Sequence, residues 1–452
     1  MTNLLFQLKV LPEQEDVLYV PSSLYHHKLD TIYFGTFSST CQIYEAPEAV
    51  NEIKISQNLL GLLHLSTHHD VHIYTDEHSI YIGPLIGVLS AGFTGSLLRP
   101  IGKRSLLFAK LLSTASMTGG IPFLFGIHHI KWDSGTILGY FYTSSGWEQR
   151  EVPLPNVIYN RLPNRKTESL DAFKMIKEKL ADEYQIPLFN PNFFNKWTVH
   201  TLLQKDEAVK GFLPYTIDAP SLDQLSRMVE NYGSIYLKPK NGSLGRGIYT
   251  LSYCSGQNVY QLCFKEESLI KKTHTSLAIL VDEVFKTNER EHYIAQQAIP
   301  LLKKDNRIVD FRVHTNKNLN NQWELSAVAA KISGGETVTT HMTNGGEIEP
   351  LQRVFTNPET RKKIQNLLES TALLISLSLD HQVDGLIGEI GFDFGVDTRG
   401  NIWMFEANSK PGRSIFSHPS LRKEDQYTRK LALEYAIFLS KQAILSLEAS
   451  LP

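Results

Sequence analysis

The chain has 452 residues, more than one core usually holds, and 45 Lys and Arg against 47 Asp and Glu leave a formal charge of −2. With 42% hydrophobic residues and 29 glycines it has a globular composition, which excludes collagen-like, low-complexity and disordered classes. No net basic field draws it to nucleic acid or anionic lipid, and three cysteines (Cys41, Cys254, Cys263), none in a Cys-x-x-Cys pair, exclude a disulfide framework.

The N-terminus MTNLLFQLKVLPEQED lacks the basic–apolar–small order of a secretory signal, so an intracellular chain is expected. Residues 1–80 carry short β-type runs (VLYV, TIYF, CQIYE, IKIS, VHIYT) separated by polar turns, the pattern of a small β domain. His64, His68, His69, His72 and His78 crowd this region. On one helix His64, His68 and His72 could ligate zinc, but VHIYT reads as a strand and a surface loop is the simpler expectation. The uncharged stretch Ser79–Leu98 holds Pro84 and four glycines, which suit a buried strand and loop rather than a membrane-spanning helix. Residues 81–165 alternate strand and helix patterns (IYIGPLIGVL, SLLFAKLLSTA, IPFLFGIHHIKW, TILGYFYT) and suggest a small α/β unit closed by VPLPNVIYNRLP.

From Asp171 the helical period takes over in a third unit, 166–452. Phe173, Ile176 and Leu180 share a face, and Val199, Leu202 and Leu203 mark another helix. Ser221 is placed to cap LDQLSRMVENY before Gly233, and Ile364, Leu367, Leu368 and Leu374 mark a later helix. Residues 424–447 predict a C-terminal helix.

Two stretches carry chemistry. In SIYLKPKNGSLGRGIYTLS, Gly242, Ser243, Gly245 and Gly247 form a tip between two strands, with Lys238 just before it. Glycines let backbone N–H groups approach phosphate, so this is a hairpin flap for a triphosphate or an ordinary glycine-rich hairpin. In GFDFGVDTRGNIWMFEAN, a four-residue turn would set Asp397 opposite Ile402 and Asp393 opposite Glu406. Glu406 and Asn408 would then share one face, with Trp403 and Phe405 on the other. Asp393, Glu406 and Asn408 offer only oxygen donors, the set Mg²⁺ prefers. Arg312, on RIVDFRVHTN, offers a fork for phosphate or a salt bridge to a carboxylate. Lys331 and Asn344-Gly345-Gly346 lie in a second glycine-rich stretch, and Arg413 could meet a substrate carboxylate or lie at the surface.

Taken in order, these segments resemble the ATP-grasp superfamily of carboxylate–amine ligases over about residues 165–445. The N-terminal combination with VPLPNVIYNRLP is similar to the endospore coat-associated YheC/YheD-type branch. The resemblance implies an ATP-grasp fold of two α+β lobes around ATP, preceded by the α/β and β units. It assigns Lys196 (in NKWTVHTLL) and Lys238 as nucleotide lysines, and residues 241–247 as the flap. YIAQQAI becomes the adenine hinge with Gln296 and Gln297, and Arg312 the D-x-R arginine. Asp393, Glu406 and Asn408 become Mg²⁺ ligands, with Mn²⁺ as an alternative metal. Gln297 stands where many relatives carry an acid, and Asp305 is the acid offered for a ribose. The implied activity is ATP-dependent amide formation through an acyl phosphate, with Arg312 and Lys238 catalytic. It implies a cytoplasmic or spore-coat setting and unidentified carboxylate and amine substrates. A kinase on the same lobes, or a coat protein with a vestigial nucleotide site, is the alternative.

Overall fold

The computed structural model describes residues 4–13, 15–48, 50–66, 70–242, 245–285, 289–334 and 346–450. Ser243, His68, His69, Asn344 and Gly345 therefore lie outside the described residues.

The predicted N-terminal strands all form, as two four-stranded sheets drawn from residues 7–83. His72 lies on the strand His72–Thr75, buried, with Nε2 2.7 Å from the Thr118 carbonyl, which removes it from a surface loop. Among the described residues no group of three or more His, Cys, Asp and Glu could hold a metal, so the histidines assemble no zinc site there. The Ser79–Leu98 stretch resolves into the buried strands Ser79–Gly83 and Leu85–Leu89 and a loop. Leu85–Leu89 is the middle of three parallel strands, between Ile121–Phe125 and Val157–Asn160. One apolar cluster runs from Phe6 to Ile186, joining the first two sheets to this third one.

Beyond residue 190 the chain builds two six-stranded sheets. The first is antiparallel and centres on Ser234–Pro239, flanked by Tyr293–Gln297 and Tyr249–Cys254. Its helix Leu222–Tyr232 starts as expected: Ser221 accepts from the Gln224 N–H in a capping box, and Gly233 ends it at φ +72°. The second sheet runs Glu347–Glu349, Trp323–Ile332, Arg307–Lys317, Glu389–Val396 and Ile402–Asn408. Asn357 and Pro358 open the helix Pro358–Gln382, which covers one face of this sheet. Phe311, Val313, Phe392 and Phe394 pack there against Ile364, Leu368, Ala372 and Ile375. Leu374, one of the residues that mark this helix, is 38% exposed, while the 3.6-residue period carries Ile375 to the sheet.

The C-terminal helix Arg422–Ser450 crosses back to the parallel strands, where Ala432, Leu433, Tyr435 and Ala436 pack with Ile86, Val88, Tyr159 and Phe189. It closes so tightly that a Cβ at Gly388 would come within 2.4 Å of Tyr435 and 2.8 Å of Phe189. This helix holds the parallel sheet against the second large sheet, so side chains from both meet.

Candidate functional site

The carboxylate hairpin forms with one change of register. Asp393 stands opposite Glu406 as expected, but Val396, not Asp397, is opposite Ile402. Asp397 turns its carboxylate onto the Arg399 N–H, the Asn401 N–H and Nδ2, and Trp403 Nε1, all at 2.9–3.2 Å. Burial alone would raise its carboxyl, but these donors bring it down to about 2. A bulge after Asp393 restores the pairing by making Phe405 the extra residue. That overturns the expected alternation, because Phe405 and Glu406 both line the same cleft.

The cleft lies between the two large sheets. Its walls are apolar (Tyr236, Ile248, Ile299, Leu301, Ile308, Phe405), and its polar groups are Lys238, Gln296, Gln297, Asp310, Lys331, Asp393 and Glu406. An apolar slot with a few convergent polar groups suits a flat heterocycle with a charged tail.

Lys238 sits at the centre. Its Nζ donates to Gln296 Oε1 at 2.5 Å and lies over the Tyr236 and Phe405 rings at 5.4 and 5.5 Å. Burial brings its ammonium down to about 8; Glu406 opposes that shift and Lys196 adds to it. A phosphate ligand would restore the charged form. Nucleotide binding should therefore take up a proton above about pH 8, and affinity should weaken up to about tenfold per pH unit there. Calorimetry in buffers of different ionisation enthalpy checks this; proton release, or flat affinity to pH 9.5, would contradict it.

Lys196 opens the helix Lys196–Gln204, capped by Asn195. Its Nζ donates to the Gly242 carbonyl at 2.7 Å and to Glu406 Oε1 at 3.1 Å, tying glycine loop to carboxylate hairpin. The loop joins two paired strands, as a hairpin flap requires. Gly245 and Gly247 both have φ +69°, in the region that favours glycine. At the hinge, Gln296 also donates to Thr216 Oγ1 at 3.2 Å, while the Gln297 N–H bonds the Tyr215 carbonyl at 2.8 Å.

Arg312 takes the salt-bridge option. Its Nε and Nη2 reach Asp393 at 3.1 and 3.2 Å, and Nη1 is buried without a hydrogen-bond partner among the described residues. Lys331 bonds the same carboxylate at 2.8 Å and Asp310 at 3.0 Å. Burial pulls the Lys331 ammonium down, but Asp310 and Asp393 outweigh it and hold it above the ordinary lysine value. Asn408, opposite Gly391, lies two residues beyond Glu406 and is half-buried. For a hard divalent cation the donor set fits: two carboxylates opposed across one strand pair, an amide oxygen on the same strand, and cations already offsetting the charge.

Residues 185–439 match the family described as YheC/D like ATP-grasp. Over 447 residues, 99% of each chain, the sequence is 42% identical to the endospore coat-associated protein YheD of Bacillus subtilis. The chain belongs to the YheC/D-like ATP-grasp family. The endospore coat-associated protein YheC of the same organism is 25% identical over 296 residues, 64% of this chain and 80% of that one. Among solved structures, the ATP complex of Bacillus anthracis D-alanine–D-alanine ligase aligns at a TM-score of 0.46 and 11% identity, covering 81% of this chain and 100% of that one.

In this ATP-grasp fold Lys196, Lys238, Gln296, Gln297, Asp393 and Glu406 converge. Arg312 joins them through Asp393, and Gly242 through Lys196. Asp305, by contrast, stands at an exposed turn with Asn306, both at positive φ. Arg413 is not a surface residue: Asp425 and Thr428 hold its guanidinium. Phe405 is expected on the other face because its placement needs the bulge, Lys331 is named in the sequence only for its glycine-rich stretch, and Asp310 is the residue missed. The D-x-R spacing puts Asp310 on the face of Arg312, a signal that could have found it.

Proposed function

We propose that the protein is an ATP- and Mg²⁺-dependent carboxylate–amine ligase that works through an acyl phosphate and acts in endospore coat formation. The observation that carries this reading is the convergence of Lys238, Asp393 and Glu406 on one apolar-walled cleft, with Lys196 bonded to Glu406. The adenine lies between Tyr236, Ile248 and Phe405 near the Gln296–Gln297 hinge, under the flap that carries Gly242, Gly245 and Gly247. Lys196 and Lys238 neutralise the phosphates. Asp393, Glu406 and Asn408 hold Mg²⁺, or Mn²⁺ in its place, which when bound offsets charge on the phosphate oxygens.

Arg312 steadies the transferring group. A substrate carboxylate oxygen bonds to the γ-phosphorus, and the bond to the β–γ bridging oxygen breaks, with ADP taking the electron pair. An amine then attacks the acyl carbon and phosphate leaves. The coat setting rests on the relatives YheD and YheC, both described as endospore coat-associated.

Hydroxylamine trapping tests the reading. Incubated with ATP, Mg²⁺ and a panel of carboxylic acids, the protein should give a hydroxamate and ADP in equal amounts for a competent acid. ADP formed on an alcohol, without hydroxamate, would point to a kinase; bound ATP with no turnover would point to a vestigial site.

A further inference from the structure

The nucleotide reading uses one end of the strand Arg307–Lys317, but the polar face continues beyond it. Phe311, Val313 and Thr315 face the helix Pro358–Gln382, with Thr315 Oγ1 2.8 Å from Ser376 Oγ. Arg312, His314 and Asn316 alternate onto the opposite face, in register with Asp393, Gly391 and Glu389. His314 and Asn316 are fully buried and Glu389 is 1% exposed. Yet Arg312 Nη1, both His314 ring nitrogens, Asn316 Nδ2 and Glu389 Oε2 have no hydrogen-bond partner among the described residues. Each such group costs about 1–3 kcal/mol when left bare, so the donors in this row, Arg312 Nη1, Asn316 Nδ2 and one His314 ring nitrogen, call for an acceptor from outside the protein. Gly391 leaves room for the row, since a Cβ there would come 3.2 Å from Arg312 Nη1 and 2.4 Å from Pro411.

Against this row abut the C-terminal ends of the parallel strands. The chain leaves Leu85–Leu89 through the helix Ser105–Leu112 to pair on one side, and returns as Val157–Asn160 on the other. Open α/β sheets bind ligands at such a switch point. Here Arg104 Nη1 donates to Ser90 Oγ at 3.1 Å and Nη2 to the Ala91 carbonyl, while Ser90 Oγ donates to the Arg161 carbonyl at 3.0 Å. Arg161 pairs with Glu389 Oε1, which also accepts from Tyr159 Oη at 2.5 Å, and so links the strand ends to the row. Burial and the neighbouring Arg161 both disfavour the charge on Arg104, and it has no acidic partner among the described residues. Arg312, Arg161 and Arg413 each have one.

We propose that this junction is the acid-substrate subsite, and that the acid carries a second anionic group beyond the carboxylate that is activated. Arg312 Nη1 meets the reacting carboxylate, and Arg104, which has no acidic partner among the described residues, meets the second anion. The inference rests on the ligase reading.

Binding to the full chain loaded with the non-hydrolysable analogue AMP-PNP and Mg²⁺ tests it, with glutarate as a dianion probe and butyrate as its monoanion counterpart. Glutarate should bind saturably and at least tenfold more tightly than butyrate; Arg104→Gln should erase that preference, and Arg104→Lys should keep part of it. Equal binding of the two acids, no binding of either, or a preference that survives in Arg104→Gln overturns the inference. AMP-PNP affinity is read in the same samples. Its absence would count against the nucleotide reading, whereas intact AMP-PNP binding without a glutarate preference counts against the subsite alone.

Discussion

Replacing Glu406 with alanine should weaken Mg²⁺-dependent ATP binding at least 100-fold, about 2.8 kcal/mol, while the fold persists. Glu406 is the half of the carboxylate pair that faces the lysines, with its Oε1 3.1 Å from Lys196 Nζ. Asp393, the other half, is already gripped by Arg312 and Lys331. Without Glu406 a divalent cation keeps one heavily neutralised carboxylate and an amide, too weak a set to compete with water. Lys196 keeps its bond to the Gly242 carbonyl, so the loop and the ammonium groups of Lys196 and Lys238 remain. The loss should therefore appear only with metal: ATP affinity in EDTA should match the parent, and the rise on adding Mg²⁺ should vanish. Calorimetry with and without Mg²⁺ decides it. An unchanged metal-dependent gain in Glu406→Ala would remove Glu406 from the metal site.

How far the site can be read from sequence depends on how far apart its partners lie along the chain. The Asp393–Glu406 pair is legible because both belong to one hairpin and strand alternation does the rest. Even so, two local effects cancelled there: Asp397 left the ladder to cap the turn, and the Phe405 bulge restored the register. The helix Leu222–Tyr232 is legible for the same reason, with cap, apolar stripe and stop contiguous. Asp310 and Lys331 mean little until three strands are set side by side, Asp310 against Lys331 and Arg312 against Asp393. Arg161 and Glu389 are 228 residues apart, and their sheets are brought together by the returning C-terminal helix and by Asn190, which bonds Gly388, Glu389 and Ser409. Periodicity carries no information about such pairs.

The largest effect on stability is expected at Lys331. Its ammonium is buried and lies 3.0 Å from Asp310 and 2.8 Å from Asp393, while Arg312 holds the far side of Asp393. Asp310 and Asp393 thus meet Lys331 and Arg312 in one buried cluster at the wall of the cleft. Lys331→Met keeps most of the side-chain volume and removes one positive charge from between Asp310 and Asp393. Breaking a buried pair in this way costs about 3–5 kcal/mol, enough to lower Tm by roughly 6–20 °C. If charge imbalance is the cause, Asp310→Asn added to Lys331→Met should recover most of the loss, whereas a packing defect would persist in the double variant. The nucleotide reading adds a second expectation: Mg²⁺ with ATP brings positive charge to Asp393 and should narrow the gap between Lys331→Met and the parent. Thermal unfolding of the four variants in this cycle, with and without Mg²⁺-ATP, separates the two causes. A gap that neither Asp310→Asn nor Mg²⁺-ATP reduces would mean that Lys331 acts through packing and not through its charge.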